Sequence, residues 1–338
     1  MRPPKADAVR NARAAVADLL GTSGRNIVFT GGGSEADNLA LKGAVESSDG
    51  KHAVTTTIEH SAVVETANWL EDHGIDVTRV TPGRDGRVDP ADVAGAIQPD
   101  TAIVSVMHAN NETGVIQPLE AIGELTDKHD VLFHSDTIQS AGKIPIEVDE
   151  LGLDLASLSA HKFYGPKGVG AVYVRDGVEL EPIIHGGGQE RGLRSGTENV
   201  PGIVGMGKAA TLAVDDMADR RERLSELRDE LVATLQTETD ATLVGHPDRR
   251  LPGYAMMEFP EFSGADLVQA FADHDIAVSS GSACHSGDRS PSRVLMEMDI
   301  DTNLAFGAVR FSLGRETTSE DVQYVKDRLG RVLEEARR

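Results

Sequence analysis

Five short stretches of this 338-residue chain collect side chains that can bind, bond or move protons. "TIEHSAV" carries His60, "MHANNETG" carries Asn110 and Asn111, "FHSDTIQSAGK" carries Asp136 and Gln139, and "SLSAHKFYGPKG" carries Ser159, His161 and Lys162. The fifth, "TGGGSEADN", is a glycine turn at Gly31–Gly33 that opens a helix. Such a backbone can approach a ligand closely, and amides at a helix N-terminus suit a phosphate. Each stretch alone has an ordinary explanation. A strand-end histidine is usually a hydrogen-bonded core residue, an Asn at a turn serves local geometry, an Asp after a strand caps a helix, and a Lys is a solvated charge. Gathered at one sheet edge, they supply a phosphate cradle, a ring-stacking imidazole, a carboxylate and an amine. Pyridoxal phosphate needs this set: the amine bonds to its aldehyde, and the carboxylate keeps the ring nitrogen protonated so that the ring draws electrons.

The elements that must position these groups are short apolar runs. "NIVFT" (26–30), "HAVTTTI" (52–58), "IDVTRV" (75–80), "TAIVSVM" (101–107), "VLFHSD" (131–136), "LDLASLS" (153–159) and "GAVYV" (170–174) read as strands. Several are apolar without alternation, as in a sheet covered on both faces. Amphipathic stretches such as 62–73 and 119–129 lie between them. That alternation implies an α/β fold with a mainly parallel seven-stranded sheet between helices, in which ligands sit beyond the carboxyl ends of the strands. The first 20 residues read as an amphipathic helix with Val9, Val16, Leu19 and Leu20 inward; Asp7 and Asp18 and the lack of serine argue against a transit peptide. After Pro201 a long charged helix is expected to about Thr237. A smaller α+β domain then follows through "YAMMEF", a helix near 265–273, "FGAVRFSL" and a last helix from Ser319. The expected division is a large domain over 1–215 and a small one over 216–338.

Composition excludes several functions. The formal net charge is −22, which argues against general nucleic-acid binding. No run reaches the roughly 18 apolar residues of a membrane span. The acids are spread along the chain and the bases are mostly arginine, a pattern expected of a protein adapted to high salt. "GIVGMGKA" (202–209) has phosphate-loop spacing, but Ala209 lacks the hydroxyl that would hold magnesium and a helix is expected there. Cys284 is the only cysteine. One thiol excludes an internal disulfide and any multi-cysteine metal centre, so no metal site and a cytoplasmic location are expected. It lies in "SSGSACHSGDRSPSR", among small and turn-forming residues where a buried thiol would have apolar neighbours.

In these residues the chain resembles the cysteine desulfurases, pyridoxal phosphate enzymes of fold type I in the class-V aminotransferase group. The matching stretches are "SEADNLALKG", "IEHSAV", "MHANNETGVIQP", "HSDTIQSAGKIPI", "SAHKFYGPKGVGA", "GGGQERGLRSGTENVPGIVG", "SSGSAC" and "VRFSLG", in family order from about residue 20 to 330. The resemblance implies a role for each position. Lys162 bonds the cofactor, Asp136 pairs with its ring nitrogen, Gln139 meets the ring hydroxyl, and His60 stacks on the ring and moves protons. Gly33, Ser34, Ser159 and His161 hold the phosphate, and Thr197 reaches the phosphate of a second subunit in a homodimer. Asn111 lies near the ring hydroxyl and the substrate, and Arg310 clamps the carboxylate of L-cysteine. Cys284 attacks the substrate sulfur, leaving alanine and a persulfide for an acceptor such as an iron–sulfur scaffold protein or a thiolation pathway. His285, its neighbour in sequence, is a weaker candidate for tuning it.

The chain departs from the family pattern in three ways. Members usually begin with several dozen further residues that help line the substrate pocket, and this chain starts at the helix after them. It ends at Arg338 without the longer tail many members use to dock a scaffold. Ser34 stands where threonine is usual, which keeps the hydroxyl. Two rival readings follow. One is selenocysteine lyase or aminotransferase chemistry on the same fold; an aminotransferase needs no thiol, so Cys284 counts against that form. The other is an inactive binding subunit, favoured by the short start and opposed by Lys162, Asp136 and Cys284.

Overall fold

The computed structural model describes residues 4–280 and 290–337. The chain separates into two units. Met1–Val80, Val88–Ala109 and Gln117–Met217 form the first, and Thr81–Arg87, Asn110–Ile116 and Ala218–Arg338 the second.

The first unit is built on strands β1 (Ile27–Thr30), β2 (His52–Thr56), β3 (Asp76–Val80), β4 (Thr101–Ser105), β5 (Leu132–Asp136), β6 (Leu155–Ser159) and β7 (Gly170–Val174). They form one sheet in the order β1-β7-β6-β5-β4-β2-β3. β7 runs antiparallel to β1 and β6, and the other pairs are parallel. The mainly parallel seven-stranded sheet expected from the apolar runs is therefore present, with each run within two residues of its strand. β2, β4, β6 and β7 are buried along their whole length, because helices cover both faces of the sheet. Those helices are α1 (Pro4–Asp18), α2 (Gly33–Glu46), α3 (Ser61–Asp72), α4 (Pro90–Ala96), α5 (Leu119–His129) and α6 (Val200–Asp215). Two apolar cores result. Val16, Phe29, Val104, Phe133 and Met206 belong to one, and Val28, Leu39, Ile103, Leu155 and Val172 to the other. Val9, Val16, Leu19 and Leu20 are all buried, as their spacing predicts. α1 lies tightly on α6: a Cβ at Gly207 would sit 2.5 Å from Ala12 Cα, so only glycine permits this approach.

The second unit carries α7 (Met217–Glu238), β8 (Thr242–Leu243), β9 (Tyr254–Glu258), α8 (Gly264–Asp273), β10 (Ser279–Ser280), α9 (Arg293–Glu297), α10 (Thr302–Phe306), β11 (Ala308–Ser312) and α11 (Ser319–Ala336). Its sheet has the order β10-β11-β9-β8, and Leu231, Phe259, Phe271, Val309, Phe311 and Val332 pack its core. α11 starts with a capping box between Thr318 and Asp321. The single long helix expected after Pro201 is two helices, α6 and α7. Asp216 lies between them at φ −113° and ψ 7°. Asp215 and Asp216 are weak helix formers, and their charge opposes the dipole at a helix C-terminus. Two segments from the N-terminal half join this unit by long-range backbone bonds: Ile116 N–H donates to Arg249, Leu251 N–H to Gly114 and His246 N–H to Asp85.

Candidate active site

Three chain ends of the first unit converge: the carboxyl ends of β5 and β6 and the start of α2. Gly33 opens α2, and a Cβ there would meet Ile138 Cδ1 at 2.3 Å and Ser159 Cβ at 3.3 Å. Asp136, the last residue of β5, is 4 % exposed, and its Oδ1 accepts the Ile138 N–H at 2.8 Å. Burial pushes it up to about 6, against the pull of that N–H and of the Lys162 charge. Lys162 lies half-buried in the short turn Ala160–Phe163 that follows β6. Ser159, the last residue of β6, is buried and pairs through Oγ with His161 Nδ1 at 3.0 Å. Burial, then the charges of Lys162, Lys167 and Lys143, hold His161 below the usual imidazole value. A chain of net charge −22 thus keeps a local cluster of cations beside a helix N-terminus, a setting that draws an anion. Ser34 is exposed in the first turn of that helix.

His60 caps α3, its Nδ1 accepting the Ala62 N–H at 3.1 Å, so the neutral ring carries its hydrogen on Nε2. His60 and Asp136, with Asp37, each bring one ligand-capable atom within 4.8 Å of the other two. Gln139 is buried on the turn after β5, where its carbonyl accepts from Lys143 Nζ at 2.5 Å. An amine, a buried carboxylate, an imidazole and an anion-binding helix start make a donor set that fits pyridoxal phosphate. Lys162 would hold it, Asp136 would face its ring nitrogen, and the α2 start would take its phosphate.

Thr197 is exposed on the segment between Gly186 and Asn199. It lines a cavity of about 250 Å³ with Thr30, Gly31, Gly168 and Arg194. The segment is anchored through Glu190. Its carboxylate accepts from Arg13 at 2.6 and 2.7 Å and from Phe29 N–H at 2.9 Å. Glu190 and Arg191 have φ of 49° and 61°, a strained backbone that this partly buried ion pair offsets. A second tie runs from Arg194 Nε to Glu35 Oε1 at 2.8 Å.

In the second unit Arg310, on β11, donates through Nη1 to the Asn111 carbonyl at 2.6 Å and through Nη2 to Ser279 Oγ at 3.4 Å. Its Nε is a buried donor with no partner among the described residues, which leaves capacity for a carboxylate. Asn110 serves local geometry: its Oδ1 accepts the N–H groups of Glu112 and Thr113. Cys284 and His285 lie outside the described residues.

Sequence reasoning missed the buried ionisable groups behind the site. Asp37 is fully buried on α2, and His134 on β5 touches Ser105 and Ser157 at 2.8 and 2.9 Å. Glu59 accepts from Thr56 Oγ1 and Met107 N–H at 2.8 and 2.9 Å. For Asp37 a signal existed: it shares a helix face with Gly33, Ala40, Leu41 and Ala44, all buried, and a charge on an apolar face needs a reason.

Comparison with known proteins gives these groups a family. The aminotransferase class-V family model matches residues 4–325, and the chain belongs to that family of pyridoxal phosphate enzymes. A cysteine desulfurase IscS of Anaeromyxobacter dehalogenans is 50 % identical over 323 residues, covering 94 % of this chain and 80 % of its own. A solved NifS-like protein is 38 % identical with a TM-score of 0.91, over 98 % of this chain and 88 % of its own. The structure described as SspA in complex with cysteine is 36 % identical with a TM-score of 0.79, over 91 % and 87 %. Within the class-V family the chain belongs with the cysteine desulfurases.

Proposed function

We propose that this chain removes sulfur from L-cysteine with the following division of labour. Pyridoxal phosphate, when bound, supplies a conjugated sink for the electrons released at the substrate Cα. Lys162 holds the cofactor and moves the Cα proton. Asp136 holds the proton at the ring nitrogen, His60 covers the ring, and Gln139 and Asn111 face its hydroxyl. Gly33, Ser34, Ser159 and His161 take the phosphate, joined by Thr197 of a second subunit in a homodimer. Arg310 orients the substrate carboxylate, and its Nε without a partner supports that role. The Cys284 thiolate attacks the substrate sulfur: the S–S bond forms, the C–S bond breaks, and its electron pair goes to the carbon that becomes the alanine methyl. The thiol proton lost by Cys284 is balanced by the one that carbon takes up, and Cys284 keeps a persulfide.

The observation that carries this reading is the convergence of Asp136, Lys162 and the α2 start at the ends of β5 and β6, in a chain that belongs with the cysteine desulfurases. The persulfide passes to an acceptor such as an iron–sulfur scaffold protein. The division into a large domain over 1–215 and a small domain over 216–338, the small one joined by the segments 81–87 and 110–116, the cytoplasmic location and the adaptation to high salt complete the proposal. Among the described residues no helix is long and apolar enough to cross a membrane. The test is alanine and sulfide release from L-cysteine with a reductant. The wild-type chain should release both in equal amounts. Cys284→Ser should bind the cofactor with unchanged absorbance yet release neither, because a hydroxyl is a poor nucleophile at neutral pH. Lys162→Ala should lose the absorbance band of the covalently held cofactor. Wild-type rates from Cys284→Ser would sink the thiol assignment.

A further inference from the structure

Asp37 takes no part in the steps above, yet it is 0 % exposed and sits in the second turn of α2 beside Asp136. One atom each of Asp37, His60 and Asp136 lie within 4.8 Å of one another. Neither oxygen of Asp37 meets hydrogen-bond geometry with any described residue; the Ser157 hydroxyl exerts only a partial pull on it. His134 Nε2 is 3.8 Å from Asp37 Oδ1 but is no counter-ion. Burial pushes His134 down to about 3, and its two nitrogens are engaged by Ser105 and Ser157. The groups that face Asp37 can be named element by element. β5 brings Asp136 and His134, the turn after β2 brings Glu59, and the cap of α3 brings His60. On α2 itself Glu35 is turned to Arg194, and Lys42 lies over the Trp69 ring. The charges of Asp136 and Glu59 press on Asp37 in the same direction as its burial.

Two carboxylates this close in a dry site do not both ionise. The surroundings decide which keeps the proton. Asp136 has the Ile138 N–H at 2.8 Å and the Lys162 charge to stabilise an anion. Asp37 has neither. We propose that Asp37 stands as a neutral carboxylic acid behind Asp136, so that the pair carries one negative charge and that charge stays on Asp136. Asp37 is thus a positioning residue for the ring-nitrogen partner, an inference that rests on the role given to Asp136. Were Asp37 ionised, its field would raise the proton affinity of Asp136, which would then take the proton meant for the ring nitrogen.

The test uses the full-length chain, with pyridoxal phosphate bound and removed. Infrared difference spectra of wild type against Asp37→Asn at neutral pH should contain the carbonyl band of a buried neutral carboxylic acid, belonging to wild type alone. Should Asp37→Asn fold poorly, Asp37→Ser serves the same subtraction. Because Asn reproduces a neutral group of the same shape, Asp37→Asn should bind pyridoxal phosphate within about threefold of wild type at neutral pH. At alkaline pH, wild type should weaken relative to Asp37→Asn, as Asp37 ionises beside Asp136. No carboxylic-acid band, or a loss of cofactor affinity beyond about tenfold in Asp37→Asn at neutral pH, overturns the proposal. An alkaline limb steeper in Asp37→Asn than in wild type overturns it as well, because a neutral amide cannot lose a proton beside Asp136. Asp136→Asn separates the two levels. If it leaves cofactor affinity and ring protonation unchanged while the wild-type band is present, the role of Asp136 fails and the neutral Asp37 stands.

Discussion

Burial sets the charge of single residues in the first unit, and the direction differs by residue type. His108, 5 % exposed with Nδ1 lacking a partner among the described residues, is pushed by burial down to about 4 from 6.5. It folds as a neutral ring. A depressed folded value means that its contribution to stability is fully present above about pH 6.5 and is lost as pH falls toward 4. Asp136 runs the other way. Its folded value, about 6 against 3.8, makes its contribution complete below 3.8 and lost as pH rises through 6. The two effects oppose each other in the wild type, and a variant separates them. His108→Gln keeps the Asp136 effect and deletes the histidine one. Urea unfolding at pH 7 and pH 5 should find wild type losing about 2 kcal/mol more than His108→Gln over that interval. Equal losses would mean that His108 is not held neutral by its surroundings.

At the scale of elements, the site depends on α2 starting where β5 and β6 end. Gly33 is the point of contact, since a Cβ there would lie 2.3 Å from Ile138 Cδ1. Ile138 also supplies the N–H that holds Asp136, so a methyl at Gly33 is transmitted to the carboxylate. Gly33→Ala should weaken pyridoxal phosphate binding by about tenfold, of the order of 1.4 kcal/mol. Ile138→Val, which removes the offending Cδ1, should restore most of it in the double variant. If the double variant is as weak as Gly33→Ala, the clash lies elsewhere. Much of this level was legible in the sequence. Strands covered on both faces are apolar without alternation, and polar residues such as Asp136 and Ser159 mark where they end. The break at Asp216 was less legible, because no proline or glycine punctuates "VDDMADRR". The transfer of Thr81–Arg87 and Asn110–Ile116 to the second unit was not legible at all. Periodicity is local, and the bonds from Ile116 to Arg249 and from His246 to Asp85 span long stretches of chain. Asp37 was readable only as a charge on an apolar face, since its neighbour Asp136 lies on another element.

The whole molecule carries 55 acidic side chains against 33 basic ones. That excess repels itself, and the repulsion is a property of the folded shape, which packs the charges closer than an unfolded chain does. Its range depends on salt: the screening length is about 10 Å at 0.1 M and about 3 Å at 1 M. The cations around His161 are one local exception, and bound phosphate would neutralise them; the general repulsion has no such remedy except ions. The melting temperature should therefore rise with potassium chloride. Screening alone should complete most of the rise by about 1 M, where the screening length falls below the spacing of neighbouring surface charges. A rise that continues well beyond that concentration, and that sucrose at matched water activity does not reproduce, would mark ion-dependent hydration of the acidic surface and support adaptation to high salt. A melting temperature that is flat or falls across the same series would remove that adaptation from the account and leave an ordinary acidic protein.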